Sequence, residues 1–163
     1  MERLFHTIPP LFSADSDTLI LGTFPSPKSR EAAFYYGHPQ NRFWRVLAGV
    51  YGEAVPTSVE EKTRLVLAHS LALWDTVASC EIVGAADSTI RRETPNDIAW
   101  LIGETRVTRI FTNGKTAFAL YEKYALPKTK IGALALPSTS PANASYSLEN
   151  LIEIWGEALT SPR

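Results

Sequence analysis

Residues 19–47 read LILGTFPSPKSREAAFYYGHPQNRFWRVL, and this stretch decides the fold. Its first three residues are apolar, which suits a strand covered on both faces, and Gly22 and Pro25 end that strand. In an open α/β sheet such a loop, at the carboxyl end of a parallel strand, is where the ligand binds. The stretch then gathers aromatic and polar side chains, at Tyr35, Tyr36, His38, Asn41, Phe43 and Trp44. Beside a tight turn, such groups indicate a site for a flat, polar ring.

The rest of the chain alternates apolar strand-like runs with segments of helical periodicity. We predict strands at 17–22, 71–74, 107–112 and 133–136, and helices at 41–51, 58–69, 98–102, 115–124 and 147–159. This alternation predicts an α/β fold, a three-layer sandwich with a four-stranded parallel sheet flanked by helices. A chain of 163 residues suffices for one core, so we predict a single domain over 1–163.

Each predicted strand is followed by glycine or polar residues. Because parallel strands end at one edge of a sheet, the loops after them can converge on one pocket. In that pocket Asp75 can accept an N–H from a bound base, and Tyr36 can offer a stacking face. Taken singly, a helix cap or ordinary loop packing explains each of these residues at least as well.

The composition argues against several classes of protein. A net charge of −1 does not suit a generally basic nucleic-acid binder, and no apolar run approaches the ~18 residues that span a membrane. One cysteine cannot form an intrachain disulfide, and three histidines without ligand spacing do not suggest a metal site. The glycine motifs of dinucleotide and nucleoside-triphosphate enzymes do not occur. We therefore expect a cytoplasmic protein without cofactor, metal or membrane partner, and we expect a monomer.

Two segments nevertheless carry local features that suit DNA. Between residues 106 and 130 there are six basic residues against one acid, Glu122, which allows a basic face. Solvated helix surfaces explain this charge equally well. The loop 137–145, PSTSPANAS, has four hydroxyl groups and no charge. Such a loop can bind a phosphate or enter a DNA groove, and its other interpretation is a well-capped turn.

Five segments, in this order, resemble the uracil-DNA glycosylase superfamily: GTFPS, YYGHPQNRFW, LWD, FTNGKTAF and LPSTSPANAS. The HPQNRFW run is similar to that of the mismatch-specific uracil-DNA glycosylases. The GTFPS and STSPAN forms are most similar to the hypoxanthine (deoxyinosine) DNA glycosylase branch. The resemblance spans about residues 17–159. It implies a uracil-DNA glycosylase-like fold and a monofunctional enzyme of base excision repair, which hydrolyses the N-glycosidic bond of a flipped deaminated base in DNA, with hypoxanthine as the leading substrate.

The resemblance also implies roles for individual residues. The superfamily's water-handling Asp or Asn is replaced by Phe24, so the catalytic amide falls on Asn41, as in the hypoxanthine branch. The stacking aromatic falls on Tyr36. The implied base-binding residues are Gly22, Thr23, Phe24, Tyr36, Asp75 and Asn113, and the implied DNA-binding residues are Ser26, Ser138, Ser140, Pro141 and Asn143.

Two other functions stay open. The HPQNRFW similarity allows the same chemistry on uracil in mismatches. Because Phe24 removes the usual water-activating side chain, a non-catalytic nucleic-acid-binding module that retains the pocket is the other alternative. Excision assays on DNA that contains hypoxanthine, uracil or xanthine separate these functions.

Overall fold

The structure is a computed structural model that describes residues 3–162. Its strands are Arg3–Phe5 (β1), Thr18–Gly22 (β2), Leu71–Asp75 (β3), Val77–Glu81 (β4), Arg91–Pro95 (β5), Arg109–Asn113 (β6) and Ala133–Leu136 (β7). Its helices are Pro27–Ala32 (α1), Phe43–Tyr51 (α2), Val59–Ala68 (α3), Ile98–Gly103 (α4), Lys115–Leu120 (α5), Leu126–Thr129 (α6) and Leu148–Leu159 (α7). A 3-10 turn spans Asp87–Thr89. Within the described range, no helix combines the length and apolar character needed to cross a membrane.

The central sheet is parallel and has the order β3-β2-β6-β7. Every residue of β2 is buried, as expected for an apolar strand covered on both faces. From β2 the chain continues to β3 at one edge of the sheet, and from β6 it continues to β7 at the opposite edge. Right-handed crossovers therefore place α2 and α3 on one face and α5 on the other. The predicted three-layer sandwich with a four-stranded parallel sheet is confirmed.

Two of the helices that flank the sheet, α3 and α7, begin at serine caps. Ser58 Oγ accepts the N–H of Glu61 at 3.1 Å, and the Glu61 carboxylate accepts the N–H of Ser58 at 3.2 Å, which makes a capping box at α3. Ser147 caps α7 by accepting a backbone N–H of the first turn at 3.1 Å. Helices α2 and α7 then pack together, with the rings of Phe43 and Trp155 5.9 Å apart in the core.

The helix predicted over 115–124 is wrong in its second half. Helix α5 ends at Leu120, and a wide π turn, Tyr121–Ala125, joins it to α6. Pro127 lies on the first turn of α6. A proline has no backbone N–H and its ring clashes with the carbonyl four residues earlier, so a straight α-helix cannot run through this point.

A second, antiparallel sheet of order β1-β4-β5 is missing from the sequence prediction. Strand β5, RRETP, is charged and largely exposed, and β1 has three residues, so neither shows a strand's hydrophobic pattern. Only Thr76 separates β4 from β3. The predicted strand 107–112 also begins later, at Arg109, because the N–H of Thr108 bonds instead to the carbonyl of Asp17 at 3.0 Å.

Candidate functional site

A cavity of about 410 Å³ opens at the carboxyl ends of β2, β3 and β6. The cavity lies at the topological switch point of the sheet, where β3 is on one side of β2 and β6 is on the other. Open α/β sheets usually bind their ligands at such a point. The loop after β7 closes the cavity, so the predicted convergence of the four strand ends is confirmed. Of the predicted site residues, Asn41 and all base-binding and DNA-binding residues except Asn143 line it.

Gly22 forms the floor of the cavity at the end of β2. A Cβ atom at this position would lie 2.4 Å from Asp75 Oδ1 and 3.0 Å from the Tyr36 hydroxyl oxygen. Any other residue would displace one of these groups. Glycine is therefore required for the Asp75 carboxyl group to lie against the backbone of β2.

Asp75 forms a buried pair with His6, a residue that the sequence prediction did not place in the site. His6 Nε2 lies 2.7 Å from Asp75 Oδ2, and the two side chains are only 3% and 6% exposed. The pair orients the carboxyl group, with Oδ2 toward His6 and Oδ1 above Gly22. His6 follows β1, whose pairing with β4 brings the N-terminal segment beside the site. Nothing in the local sequence around His6 shows this long-range contact.

The side chain of Phe24 packs into a small core cluster at the edge of the site. The ring is 8% exposed and belongs to a small core cluster with Val77, Cys80 and Ile82 beneath the antiparallel sheet. Its edge meets the His6 ring, with centroids 6.1 Å apart. Phe24 thus lines the cavity and packs against His6, the partner of Asp75.

Tyr36 forms part of the wall in a strained backbone conformation. Its φ of +53° is a left-handed value, which typically costs a non-glycine residue about 1–3 kcal/mol. The ring stacks on Phe43 with centroids 3.9 Å apart, and its buried hydroxyl group, which has Asn113 as a neighbour, makes no hydrogen bond of regular geometry with a described residue. Burial, and secondly the charge of Asp75, raises the pKa of Tyr36 well above its ordinary value, so the hydroxyl keeps its proton.

Asn41 belongs to a hydrogen-bonded chain of three side chains. Its Oδ1 accepts from the N–H of Phe43 at 2.9 Å and from Thr139 Oγ1 at 2.8 Å. Thr139 Oγ1 in turn accepts from Asn113 Nδ2 at 2.9 Å, and the Thr139 N–H donates to Asn113 Oδ1 at 3.0 Å. The structure therefore joins Asn41 and Asn113 through Thr139, which is fully buried and was not singled out from the sequence.

Arg42 fixes the loop after β7 to the start of α2. Its guanidinium group donates to the carbonyls of Ser140 at 2.9 Å, Asn143 at 3.0 Å and Tyr146. The backbone N–H of Arg42 also donates to the carbonyl of Thr139, at 3.1 Å. The loop that carries Thr139 is thus held directly against the residue that follows Asn41.

The predicted DNA-binding residues occupy the rim, where most of them also stabilise local turns. Ser26 caps α1, a helix that the sequence prediction missed, by accepting the N–H of Ser29 at 3.2 Å. Ser138 and Ser140 each accept a backbone N–H two residues on, at 3.1 and 3.2 Å. Asn143 donates to the Ser138 carbonyl at 3.0 Å. Pro141 is exposed at the mouth of the cavity.

Asp87 is a second carboxyl group in the wall, and the sequence prediction did not identify it. It lies on the 3-10 turn between β4 and β5, a segment with no strong periodicity. Burial raises the pKa of Asp87 to about 6; the nearby Thr23 hydroxyl opposes this shift and the charge of Asp75 adds to it. The cavity therefore contains an acid that titrates near neutral pH.

The basic residues do not all contribute to one surface. Arg42 is engaged by the loop carbonyls, and Arg109 donates to the carbonyls of Leu159 at 3.0 Å and Ala158 at 3.2 Å at the end of α7. On α1, Lys28 Nζ lies 3.5 Å from Glu31 Oε2, which makes an ion pair. Across residues 3–162, no group of three or more His, Cys, Asp or Glu side chains is arranged to bind a metal ion.

The comparisons with known proteins agree with this geometry. A solution NMR structure of a Methanosarcina acetivorans protein assigned to the uracil DNA glycosylases superposes with a TM-score of 0.81 at 30% identity, covering 94% of this chain and 95% of that one. A hypoxanthine DNA glycosylase from Methanosarcina acetivorans is 33% identical over 85% of this chain and 88% of its own length. A hypoxanthine DNA glycosylase from Methanosarcina barkeri is 31% identical over 92% of this chain and 94% of its own length. A family model described as the uracil DNA glycosylase superfamily matches residues 9–159, and the chain belongs to that superfamily.

Proposed function

We propose that this protein is a monofunctional DNA glycosylase that hydrolyses the N-glycosidic bond of a flipped hypoxanthine in base excision repair. The observation that carries the proposal is the convergence of Asp75, Tyr36 and Asn41 on one cavity in a chain of this superfamily. The two relatives named hypoxanthine DNA glycosylase, 33% and 31% identical to this chain, support hypoxanthine as the base.

The proposed base reader is Asp75. Hypoxanthine has an N–H donor at N1, whereas adenine has a lone pair there, and a carboxylate only accepts hydrogen bonds. A cavity built around this acceptor rejects adenine because two acceptors would face each other without a proton. Tyr36 supplies a wall for stacking, a contact worth about 1–3 kcal/mol per base.

The proposed reaction takes place after the nucleotide leaves the helix, at a cost of a few kcal/mol. Cleavage of the glycosidic bond leaves positive charge on the sugar and negative charge on the departing base. Backbone N–H groups of Thr23 and Phe24, at the cavity floor, are proposed to stabilise that negative charge. Asn41 is proposed to position the attacking water near C1′, which lowers the barrier by orientation. Water is the proposed nucleophile because no lysine is among the described residues that line the cavity.

The test is excision from duplex oligonucleotides that each contain a single hypoxanthine, uracil or xanthine. We expect purified wild-type protein to leave an abasic site at hypoxanthine, revealed by alkaline cleavage. We expect Asn41→Ala to reduce the single-turnover rate by at least about 100-fold. Excision confined to mismatched uracil would favour the mismatch-specific function. Tight binding without any abasic product would favour a non-catalytic module.

The same proposal includes DNA with a deaminated base as the partner and a monomeric, cytoplasmic enzyme. A single chain supplies Asn41, Asp75 and Thr139 to the cavity, so the proposed reaction requires no residue from a second subunit. Light scattering of the purified protein, alone and with a hypoxanthine duplex, measures this oligomeric state. A dimer in either sample would contradict it.

A further inference from the structure

The side chains of Asn41, Thr139 and Asn113 form a row of hydrogen bonds in which each donor and acceptor can be assigned. Two backbone N–H groups fix this assignment. The N–H of Phe43 can only donate, so the atom of Asn41 that it meets at 2.9 Å is the carbonyl oxygen. The N–H of Thr139 likewise meets the carbonyl oxygen of Asn113 at 3.0 Å. Both amide orientations therefore follow from donors whose position is set by the backbone.

The direction of the Thr139 hydroxyl group follows from these two amides. Asn113 directs its Nδ2 at Thr139 Oγ1, 2.9 Å away, so the hydroxyl oxygen accepts there. The hydroxyl proton is then left for Asn41 Oδ1, 2.8 Å away. Both lone pairs of Asn41 Oδ1 are consequently used, one by Phe43 and one by Thr139. No described residue accepts from Asn41 Nδ2, and Asn41 lines the cavity.

We propose that Asn41 acts on the substrate complex only as a hydrogen-bond donor, through Nδ2, and that Thr139 is the positioning residue that enforces this. The inference rests on the proposed glycosylase function. In that reaction the C1′–N9 bond breaks and its electron pair goes to the base. The water oxygen, held by Asn41 Nδ2–H, forms the new bond to C1′. The water then releases its proton to solvent, and the base gains one from solvent.

This role differs from water activation by a carboxylate or by an amide oxygen. A donor to the water oxygen cannot remove a proton from that water, so it contributes position and no basicity. Position suffices when the sugar already carries positive charge at the moment of attack. The buried hydroxyl of Thr139 strengthens the orientation that the Phe43 N–H imposes, because it adds a second donor to Oδ1 and holds the amide at two points instead of one.

The decisive variant is Asn41→Asp, which keeps the oxygen that Phe43 and Thr139 bind and replaces the Nδ2 donor with an acceptor. We expect Asn41→Asp to lose single-turnover activity as fully as Asn41→Ala, by at least about 100-fold. Activity of Asn41→Asp within about tenfold of the wild type would overturn the proposal, because a proton-accepting group would then serve.

Thr139 is tested with a matched pair of variants. Thr139→Val keeps the shape and removes the hydroxyl, whereas Thr139→Ser keeps the hydroxyl. We expect Thr139→Val to lower kcat about tenfold at nearly constant KM, and Thr139→Ser to stay within about threefold of the wild type, both normalised to the folded fraction. A purely structural role predicts lower thermal stability with unchanged kcat per folded molecule, and that result would overturn the positioning role.

A measurement on the free protein separates this inference from the proposed function. In the stated orientation the Asn41 Nδ2 protons face away from the Phe43 amide proton. We therefore expect at most a weak nuclear Overhauser effect between them in the wild type and a stronger one in Thr139→Val. A strong effect in the wild type would overturn the inference even if hypoxanthine is excised. A weak effect in a protein without excision would refute the function and leave the hydrogen-bond direction standing.

Discussion

At the scale of single residues, the site is built from side chains whose hydrogen-bonding atoms are already assigned. Asp75 has one oxygen toward His6 and the other above Gly22, a position that only glycine permits. Asn41 has its oxygen occupied by Phe43 and Thr139. This preorganisation means that small substitutions behind the cavity should change activity without changing the fold.

Replacing His6 should weaken recognition of the base. The bond from His6 to the carboxyl group of Asp75 is a hydrogen bond to an ionisable group, worth about 1.5–3 kcal/mol. We expect His6→Leu to lower kcat/KM on hypoxanthine DNA at least about tenfold, because Asp75 is free to turn. His6→Gln retains a donor and should recover most of this loss. Equal kcat/KM for His6→Leu and the wild type would show that His6 only fills space.

Asp87 should make the stability of the protein depend on pH. Its native pKa of about 6 lies above the ordinary value of 3.8, so the native state holds this proton more tightly than the unfolded state does. The free energy of unfolding therefore falls as pH rises from about 4 to about 6 and stays lowered above that range. The upper limit of the effect is about 3 kcal/mol, reduced by partial exposure.

Asp87→Asn removes this titration. We expect the variant to be more stable than the wild type in urea unfolding at pH 7.5, and we expect this difference to shrink to about a third at pH 4.5. Asp15→Asn, at an exposed position, serves as the control and should follow the wild type at both pH values. A constant difference between Asp87→Asn and the wild type across this range would contradict the raised pKa.

At the scale of elements, the sequence predicts what local patterns determine. The strands Thr18–Gly22 and Ala133–Leu136 are apolar runs with clear ends, and α7 begins within one residue of its predicted start, because Ser147 caps it. The antiparallel sheet escapes prediction because pairing between distant, short and charged segments stabilises it. His6 and Asp87 lie beside or between the strands of that sheet, so the same gap hides both from a prediction of the site.

Arg42 shows how one side chain connects two elements of the site. Its guanidinium donates to the carbonyls of Ser140, Asn143 and Tyr146. We expect Arg42→Ala to increase hydrogen exchange across 138–146 at least about tenfold and to reduce excision, because the part of the loop that follows Thr139 then loses its bonds to the start of α2. Arg64→Ala, at an exposed position of α3, is the control. Unchanged exchange in Arg42→Ala would refute this connection.

At the scale of the whole molecule, the near-neutral charge limits how the protein can hold DNA. The total is −1, and both Arg109, one of the six basic residues between 106 and 130, and Arg42 bond to carbonyls of the protein itself. The basic residues on elements that flank the cavity are Lys28 and Arg30 on α1, Arg45 on α2 and Lys115 on α5. Of these, Arg30 and Arg45 also donate to nearby backbone carbonyls, so four is the upper limit of the phosphate contacts from these elements. Binding should therefore depend more on the flipped base than on the phosphates.

The salt dependence of DNA binding measures this balance. With about four phosphate contacts, the slope of log K against log salt should be no steeper than about −4, since each neutralised phosphate contributes about −0.9. We would measure it by fluorescence anisotropy with Asn41→Ala and a hypoxanthine duplex, between low and moderate salt. Lys115→Ala should make the slope shallower by about one, whereas Lys128→Ala, on α6, should leave it unchanged. A slope steeper than about −6 would mean that a wide basic face tracks the backbone, and then the affinity of the protein for undamaged DNA would be nearly as high as for the damaged duplex.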